Sequence, residues 1–105
     1  MAAQEFAHAV RTLAATAREA GFVAPSFRSP PGVPGAARTM RRRPDGSVQV
    51  AVSLLGRPWA AVQADVVEGF VVANGLRGPD ADGLRRLLWA ALHTPPARSP
   101  AGAAA

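Results

Sequence analysis

Residues 37–55 read Ala-Arg-Thr-Met-Arg-Arg-Arg-Pro-Asp-Gly-Ser-Val-Gln-Val-Ala-Val-Ser-Leu-Leu. The middle of this segment, residues 44–47, has the composition of a tight turn, because proline presets one φ angle, aspartate bonds the backbone and glycine accepts a positive φ. After the turn, large apolar residues alternate with small or polar ones; they are Val48, Val50, Val52 and Leu54. A period of two is typical of a half-buried strand. The segment therefore predicts a β-hairpin with arms at residues 37–43 and 48–55.

The first arm of the predicted hairpin carries cations on both faces. Met40 is its only large apolar residue, and its arginines are Arg38, Arg41, Arg42 and Arg43. A strand that is charged on both faces cannot lie in the centre of a sheet. We therefore expect an edge strand, or an arm that stands away from the body of the protein.

Helical periodicity is clear on both sides of the hairpin. Over residues 4–20 the apolar side chains recur at spacings of three and four, which predicts a helix. Over residues 80–93 a wide apolar face follows Asp80 and Asp82, either of which suits the N-cap, and a pair of prolines ends the helix. The apolar positions are Phe6, Val10, Leu13 and Ala17 in the first helix and Leu84, Leu87, Leu88, Ala91 and Leu92 in the last.

The segment before the last helix, residues 58–74, admits two interpretations. As a helix, it begins with Pro58 at the first helical position and runs into Asn74-Gly75-Leu76, the pattern of a Schellman motif. The alternative is two strands, which its high valine content favours, because valine is enriched in strands. The capping signals favour the helix. We therefore predict an α+β fold with an N-terminal helix, a basic antiparallel β-hairpin and two C-terminal helices; the alternative is a helix, a four-stranded antiparallel meander and a helix.

Residues 24–35 form a connector rich in proline and glycine. Four prolines and two glycines exclude a helix or a central strand, so we expect an extended segment that Phe27 and Val33 attach to the core. The chain has 105 residues, enough for one domain, which we place at residues 1–93. Residues 94–105 are of low complexity and are expected to be a disordered tail. Because so small a core supplies little stability by itself, we expect a homodimer.

The composition leaves little room for catalytic or metal chemistry. There is no cysteine, no apolar run of membrane-spanning length and no secretory signal in the first residues, so we expect a cytoplasmic protein without disulfides. The two histidines lack the spacing of metal ligands, and Asp65 and Glu68 are expected on a solvated helix face. Trp59 and Trp89 are expected in the core. We predict no catalytic residue, no metal and no cofactor.

The positive charge is concentrated in the middle of the chain. All 12 basic residues are arginine, as GC-rich codon usage favours, and the net charge is +5. Residues 28–57 hold six of these arginines and one acidic residue, so the rest of the chain is neutral overall. Guanidinium groups match phosphate geometry.

We therefore predict a small accessory protein that binds DNA or RNA phosphates, largely without sequence preference. The predicted contact residues are Arg38, Arg41, Arg42, Arg43 and Arg57. The alternative is a protein-interaction module with an acidic or apolar partner and with neither nucleic-acid binding nor catalysis.

The segment from Arg38 to Leu92 resembles short proteins of GC-rich actinobacteria, a resemblance that implies no particular function. If residues 58–74 are strands, the element order is similar to that of the YbaB-type nucleoid proteins, and Gly46-Ser47-Val48-Gln49-Val50 matches their strand start. The first helix departs from that family, because it is short and rich in alanine rather than a long charged coiled-coil helix. The proline-rich connector has no counterpart there.

Overall fold

Three helices and three strands make up the part of the chain that the computed structural model describes, residues 3–29, 38–54 and 56–93. In chain order they are α1 (Ala3–Glu19), β1 (Ser26–Arg28), β2 (Arg38–Arg42), β3 (Val48–Val52), α2 (Trp59–Ala73) and α3 (Gly78–His93). The predicted α+β class is confirmed, with a helix, strands and two helices in the predicted order. The expected tail at residues 94–105 and the expected anchor Val33 lie outside the described residues.

The sheet is mixed and has β3 at its centre, in the order β1-β3-β2. β2 and β3 form the predicted antiparallel hairpin, in which Arg38 lies opposite Val52 and Arg42 opposite Val48. β2 is an edge strand, as its charge predicts. On the other side β1 pairs in parallel with β3, and Phe27 lies beside Val50.

β1 was not predicted as a strand, because it falls in the segment interpreted as a connector. Proline is tolerated beside a short edge strand, where no neighbouring strand needs its missing N–H. β1 has three residues, and Pro25 precedes it directly. The expected anchoring role of Phe27 is confirmed, since its ring packs against Phe70 with the ring centroids 5.2 Å apart. The connector therefore supplies the third strand of the sheet.

Residues 58–74, which could be interpreted as a helix or as two strands, contain the helix α2, and the alternative four-stranded meander is wrong. α2 ends in the expected Schellman motif: the Leu76 N–H donates to the Val71 carbonyl at 3.3 Å, and the Gly75 N–H donates to the Val72 carbonyl at 3.0 Å. Valine weakens an isolated helix only slightly, and burial outweighs that preference here. The buried residues of α2 are Val62, Val66, Val67, Gly69, Phe70 and Val71.

α3 begins two residues earlier than predicted, at Gly78. Asp80 therefore lies in the first turn of the helix rather than at its N-cap, where its carboxylate still suits the positive end of the helix dipole. Asp82 lies inside the helix as well. The helix begins earlier than predicted because Gly78 and Pro79 are both residues that occur at the start of a helix.

The helices cover one face of the sheet, and α2 lies at the centre of the packing. It contacts β3 on one side and α3 and α1 on the other, and α1 packs along α3. Their apolar faces meet the inward side chains of β3 in one buried cluster. Its largest fully buried members are Phe70, Leu13, Leu84, Leu88, Val50, Val52, Val62, Val66 and Val67. Among the described helices none is both long and apolar enough to cross a membrane.

At Gly69 the sheet lies close against α2. A Cβ at this position would lie 2.9 Å from Cε2 of Phe27 and 3.3 Å from Cγ1 of Val50. The Phe27 ring would have to shift, and it is packed against the Phe70 ring. Sterics therefore favour glycine at this position of α2, although glycine weakens a helix.

We expect Gly69→Ala to lower the free energy of unfolding by about 1 kcal/mol, because the cost of overpacking exceeds the gain in helix propensity. The matched control is Gly83→Ala on α3, where an added Cβ would meet nothing within 4 Å. That variant should be more stable than the wild type by about 0.5–1 kcal/mol. Urea unfolding followed by circular dichroism measures both changes.

The Phe27→Ala background tests the cause of the loss. Once the ring is gone, Gly69→Ala should become neutral or stabilising. An equal loss in both backgrounds would contradict the close approach of Phe27 to α2.

Candidate nucleic-acid interface

The hairpin connection is held by its own hydrogen bonds. The Gly46 N–H donates to the Arg43 carbonyl at 2.9 Å, and the Arg43 N–H donates to the Ser47 carbonyl at 2.8 Å. Gly46 has a φ of 89°, which completes a three-residue loop. Asp45 accepts hydrogen bonds from the Ser47 hydroxyl at 2.7 Å and from the Ser47 N–H at 2.9 Å. These bonds from Ser47 lower the pKa of Asp45, so the turn is held by an ionised carboxylate.

The three consecutive arginines at this turn are exposed. We call residues 41–47 the hairpin tip; Arg41, Arg42 and Arg43 are all exposed within it. Arg42 donates from Nη1 to the Gly46 carbonyl at 3.1 Å, which fixes its side chain near the end of the hairpin. The tip therefore presents three guanidinium groups to solvent on a structured turn.

The two faces of β2 differ in what they contact. Successive side chains of β2 lie on opposite faces of the strand. The inner face, where Met40 packs against the core, carries Arg38, Met40 and Arg42, and the opposite face carries Thr39 and Arg41. The opposite face continues across β3 and β1. We call it the outer sheet face; its members are Ser26, Arg28, Thr39, Arg41, Gln49 and Ala51.

Arg28 is the residue of this surface that the sequence prediction missed. It is exposed on β1, in the same row as Ala51 and Thr39. Because Phe27 points inward, its neighbours on β1 must point outward. The signal in the sequence was the large apolar side chain of Phe27 next to Arg28. Only the pairing of β1 with β3 shows that Arg28 and Arg41 share a face.

Two of the five predicted contact arginines have a carboxylate partner. Asp65 on α2 contacts Nη1 of Arg38 at 3.5 Å through Oδ1 and Nη2 of Arg57 at 2.5 Å through Oδ2. The Oδ2 contact is an ion pair without hydrogen-bonding geometry. The side chain of Asp65 is only 16% exposed, and Arg57 also donates to the Ser53 carbonyl at 2.9 Å. Arg38 and Arg57 thus join β2 and the loop before α2 to the helix.

Glu68, three residues further along α2, is also ion-paired. Arg85 on α3 contacts it with two hydrogen bonds, from Nε at 2.6 Å and from Nη2 at 3.0 Å. Arg85 also reaches Asp82 at 2.8 Å. The hydrogen bonds from Arg85 lower the pKa of Glu68. The expectation that Asp65 and Glu68 occupy a solvated face was wrong, because both are partly buried against arginines of neighbouring elements.

The tryptophans and histidines lie on the helical side of the molecule. Trp89 stacks on His93 with the ring centroids 5.4 Å apart, and Trp59 packs partly buried against the core. Trp59 and His8 also line a groove of about 540 Å³ between α1, α2 and the end of α3. Within the described residues, no group of three or more histidines and acids is placed to hold a metal ion.

Comparisons of the chain with protein-family models, with curated proteins and with solved structures find no match.

We expect Asp65→Ala to lower the free energy of unfolding by about 1–3 kcal/mol, between the values of exposed and buried ion pairs. The loss arises because Arg38 and Arg57 lose the carboxylate that both of them contact. Double-mutant cycles in urea should give a larger coupling for Asp65 with Arg57 than with Arg38, in the order of the two distances. Equal couplings, or none, would contradict this arrangement.

The Glu68–Arg85 pair predicts a pH-dependent contribution to stability. A lowered pKa means that folding favours the ionised carboxylate, so the pair stabilises the protein above the ordinary value of 4.5. The contribution is lost as the pH falls through the lowered pKa. At neutral pH we expect the free energy of unfolding of the wild type to exceed that of Glu68→Gln by about 0.5–1 kcal/mol. This difference should disappear in acid. In an Arg85→Ala background the two proteins should differ at neither pH.

Proposed function

We propose that this protein binds nucleic acid through the phosphate backbone, with the arginines of the hairpin tip and outer sheet face as the contacts. The observation that carries the proposal is the segregation of charge. The tip and the outer sheet face carry four exposed arginines and one acidic residue, whereas the exposed arginines of the helices lie among the other six acidic residues. The seventh, Asp45, is engaged by Ser47.

The chemistry of arginine supports a phosphate ligand. A guanidinium group donates two parallel hydrogen bonds to a phosphate and stays charged at any physiological pH. Phosphate contacts position a protein on a nucleic acid but carry no base information. We therefore propose binding that is largely independent of sequence, by an accessory protein of the cytoplasm without catalytic activity.

The five predicted arginines divide into two groups in this proposal. Arg41, Arg42 and Arg43 are contacts, and Arg28 joins them from β1. Arg38 and Arg57 act indirectly, because their ion pairs with Asp65 hold β2 and the start of α2 in place. A homodimer, which we also propose, would present two such tips and raise the affinity for one long nucleic acid.

A second candidate function is protein interaction without nucleic-acid binding. The groove of about 540 Å³ favours it, because Trp59, Ala9, Ala91 and Leu92 give it an apolar lining. A partner helix or loop would use this groove, and the arginines would then serve as a charged edge that prevents strand-to-strand association.

We expect the wild-type protein to bind fluorescently labelled duplex at low salt, with an affinity that falls steeply as salt is added. The triple variant Arg41→Ala/Arg42→Ala/Arg43→Ala should bind more weakly and flatten the log–log salt dependence by about three units, because about three counterions fewer are released. Fluorescence anisotropy at several salt concentrations measures both values.

The matched control is Arg11→Ala/Arg18→Ala/Arg86→Ala. It removes the same charge from exposed positions of α1 and α3. If the two triple variants lose binding equally, the effect is one of net charge and the hairpin is not the interface. If the wild type binds no nucleic acid at low salt, protein interaction becomes the better explanation.

A further inference from the structure

The proposed binding surface has no aromatic ring among its described residues. The centre of the outer sheet face is Ala51, flanked by Gln49, Thr39 and Ser26. The aromatic side chains of the chain lie elsewhere, in the core, against it, or on the helices. They are Phe6, Phe22, Phe27, Phe70, Trp59 and Trp89.

This absence bears on which nucleic acid fits. Proteins that bind single strands place aromatic rings on the surface so that unpaired bases stack on them. The described residues of the outer sheet face offer no aromatic ring on which a base would stack. Its arginines would find their phosphates equally well on a duplex, whose bases already stack on each other.

The hairpin tip has the shape and charge that a groove requires. Arg41 and Arg42 are neighbours on β2 and therefore leave opposite faces of the strand, and both are exposed. The pairing of β1 with β3 ends at Gln49, so from there to the turn the hairpin is a ribbon of two strands. Such a ribbon fits into the major groove of B-form DNA, which is about 12 Å wide. The major groove of A-form RNA is too narrow for protein side chains to read. In a groove, guanidinium groups on opposite faces of one ribbon reach opposite walls.

We propose that the hairpin tip enters a groove of B-form duplex DNA, with Arg41 and Arg42 on phosphates of opposite walls and Arg43 at the mouth. This inference rests on the proposed phosphate-binding function and names its ligand. It makes the ribbon, rather than the flat sheet, the element that meets the nucleic acid. Arg28 lies one strand beyond the ribbon and contacts the flanking backbone.

The test compares three labelled probes of one sequence: duplex DNA, single-stranded DNA and duplex RNA. Anisotropy at a single low salt concentration should give the tightest binding to duplex DNA, with single-stranded DNA and duplex RNA each weaker by at least about tenfold. Equal or tighter binding of either weaker probe would overturn the duplex DNA proposal and leave phosphate binding intact. Binding to none of the three would overturn the proposed function itself.

Single variants test the two-walled contact. Arg41→Ala and Arg42→Ala should each weaken binding to duplex DNA and lower the salt slope by about one unit, and the double variant by about two. Arg86→Ala on α3 is the matched control and should change neither value. Thermal unfolding checks that Arg42→Ala, which loses its bond to Gly46, still folds. If only one of the two arginines matters, the tip lies along the backbone and the groove proposal is overturned.

Discussion

The contact of Phe27 with Gly69 and Phe70 is the interaction on which the architecture depends. It seats the sheet on α2 and does so through a residue of β1. Without that docking, a three-residue segment between prolines would have no reason to be a strand. With it, β3 has a neighbour on each side, the hairpin becomes part of a three-stranded sheet, and the face opposite the helices acquires Arg28.

Asp65 divides the basic residues of the central segment into two classes. A carboxylate that is 16% exposed must be compensated, and Arg38 and Arg57 provide the compensation from two different parts of the chain. The other arginines of the segment are Arg28 on β1 and the three of the hairpin tip, and all four are exposed. The protein thus uses one side-chain chemistry in two ways, as a link inside the fold and as a charge in solvent.

Local signals predicted most of the fold. The turn chemistry at residues 44–47 and the alternation after it predicted the hairpin, and the Asn74-Gly75-Leu76 ending identified α2 correctly although valine favours strands. β1 was not predictable in this way, because a strand of three residues contains too short a pattern to detect. Its existence depends on the contact of Phe27 with α2, which is distant in the sequence.

The candidate interface was predictable only where local sequence signals determine it. The three arginines of the tip follow from their place beside a turn. The ion pairs of Arg38 and Arg57 with Asp65 could not be predicted in this way. Asp65 lies 27 residues after Arg38, and only the folded chain brings them together. Arg28 required the register of β1, which no local pattern contains.

The order of the strands has a consequence for synthesis on the ribosome. β1 and β2 are made first, yet each of them pairs with β3, which is made after both. α1, the first helix, packs along α3, the last. Within residues 3–29, 38–54 and 56–93, neither the first half nor the second holds all of its own contacts. The apolar surfaces of α1, β1 and β2 therefore stay without their native partners until β3 and α3 have been synthesised, and during that interval a chaperone has most to protect.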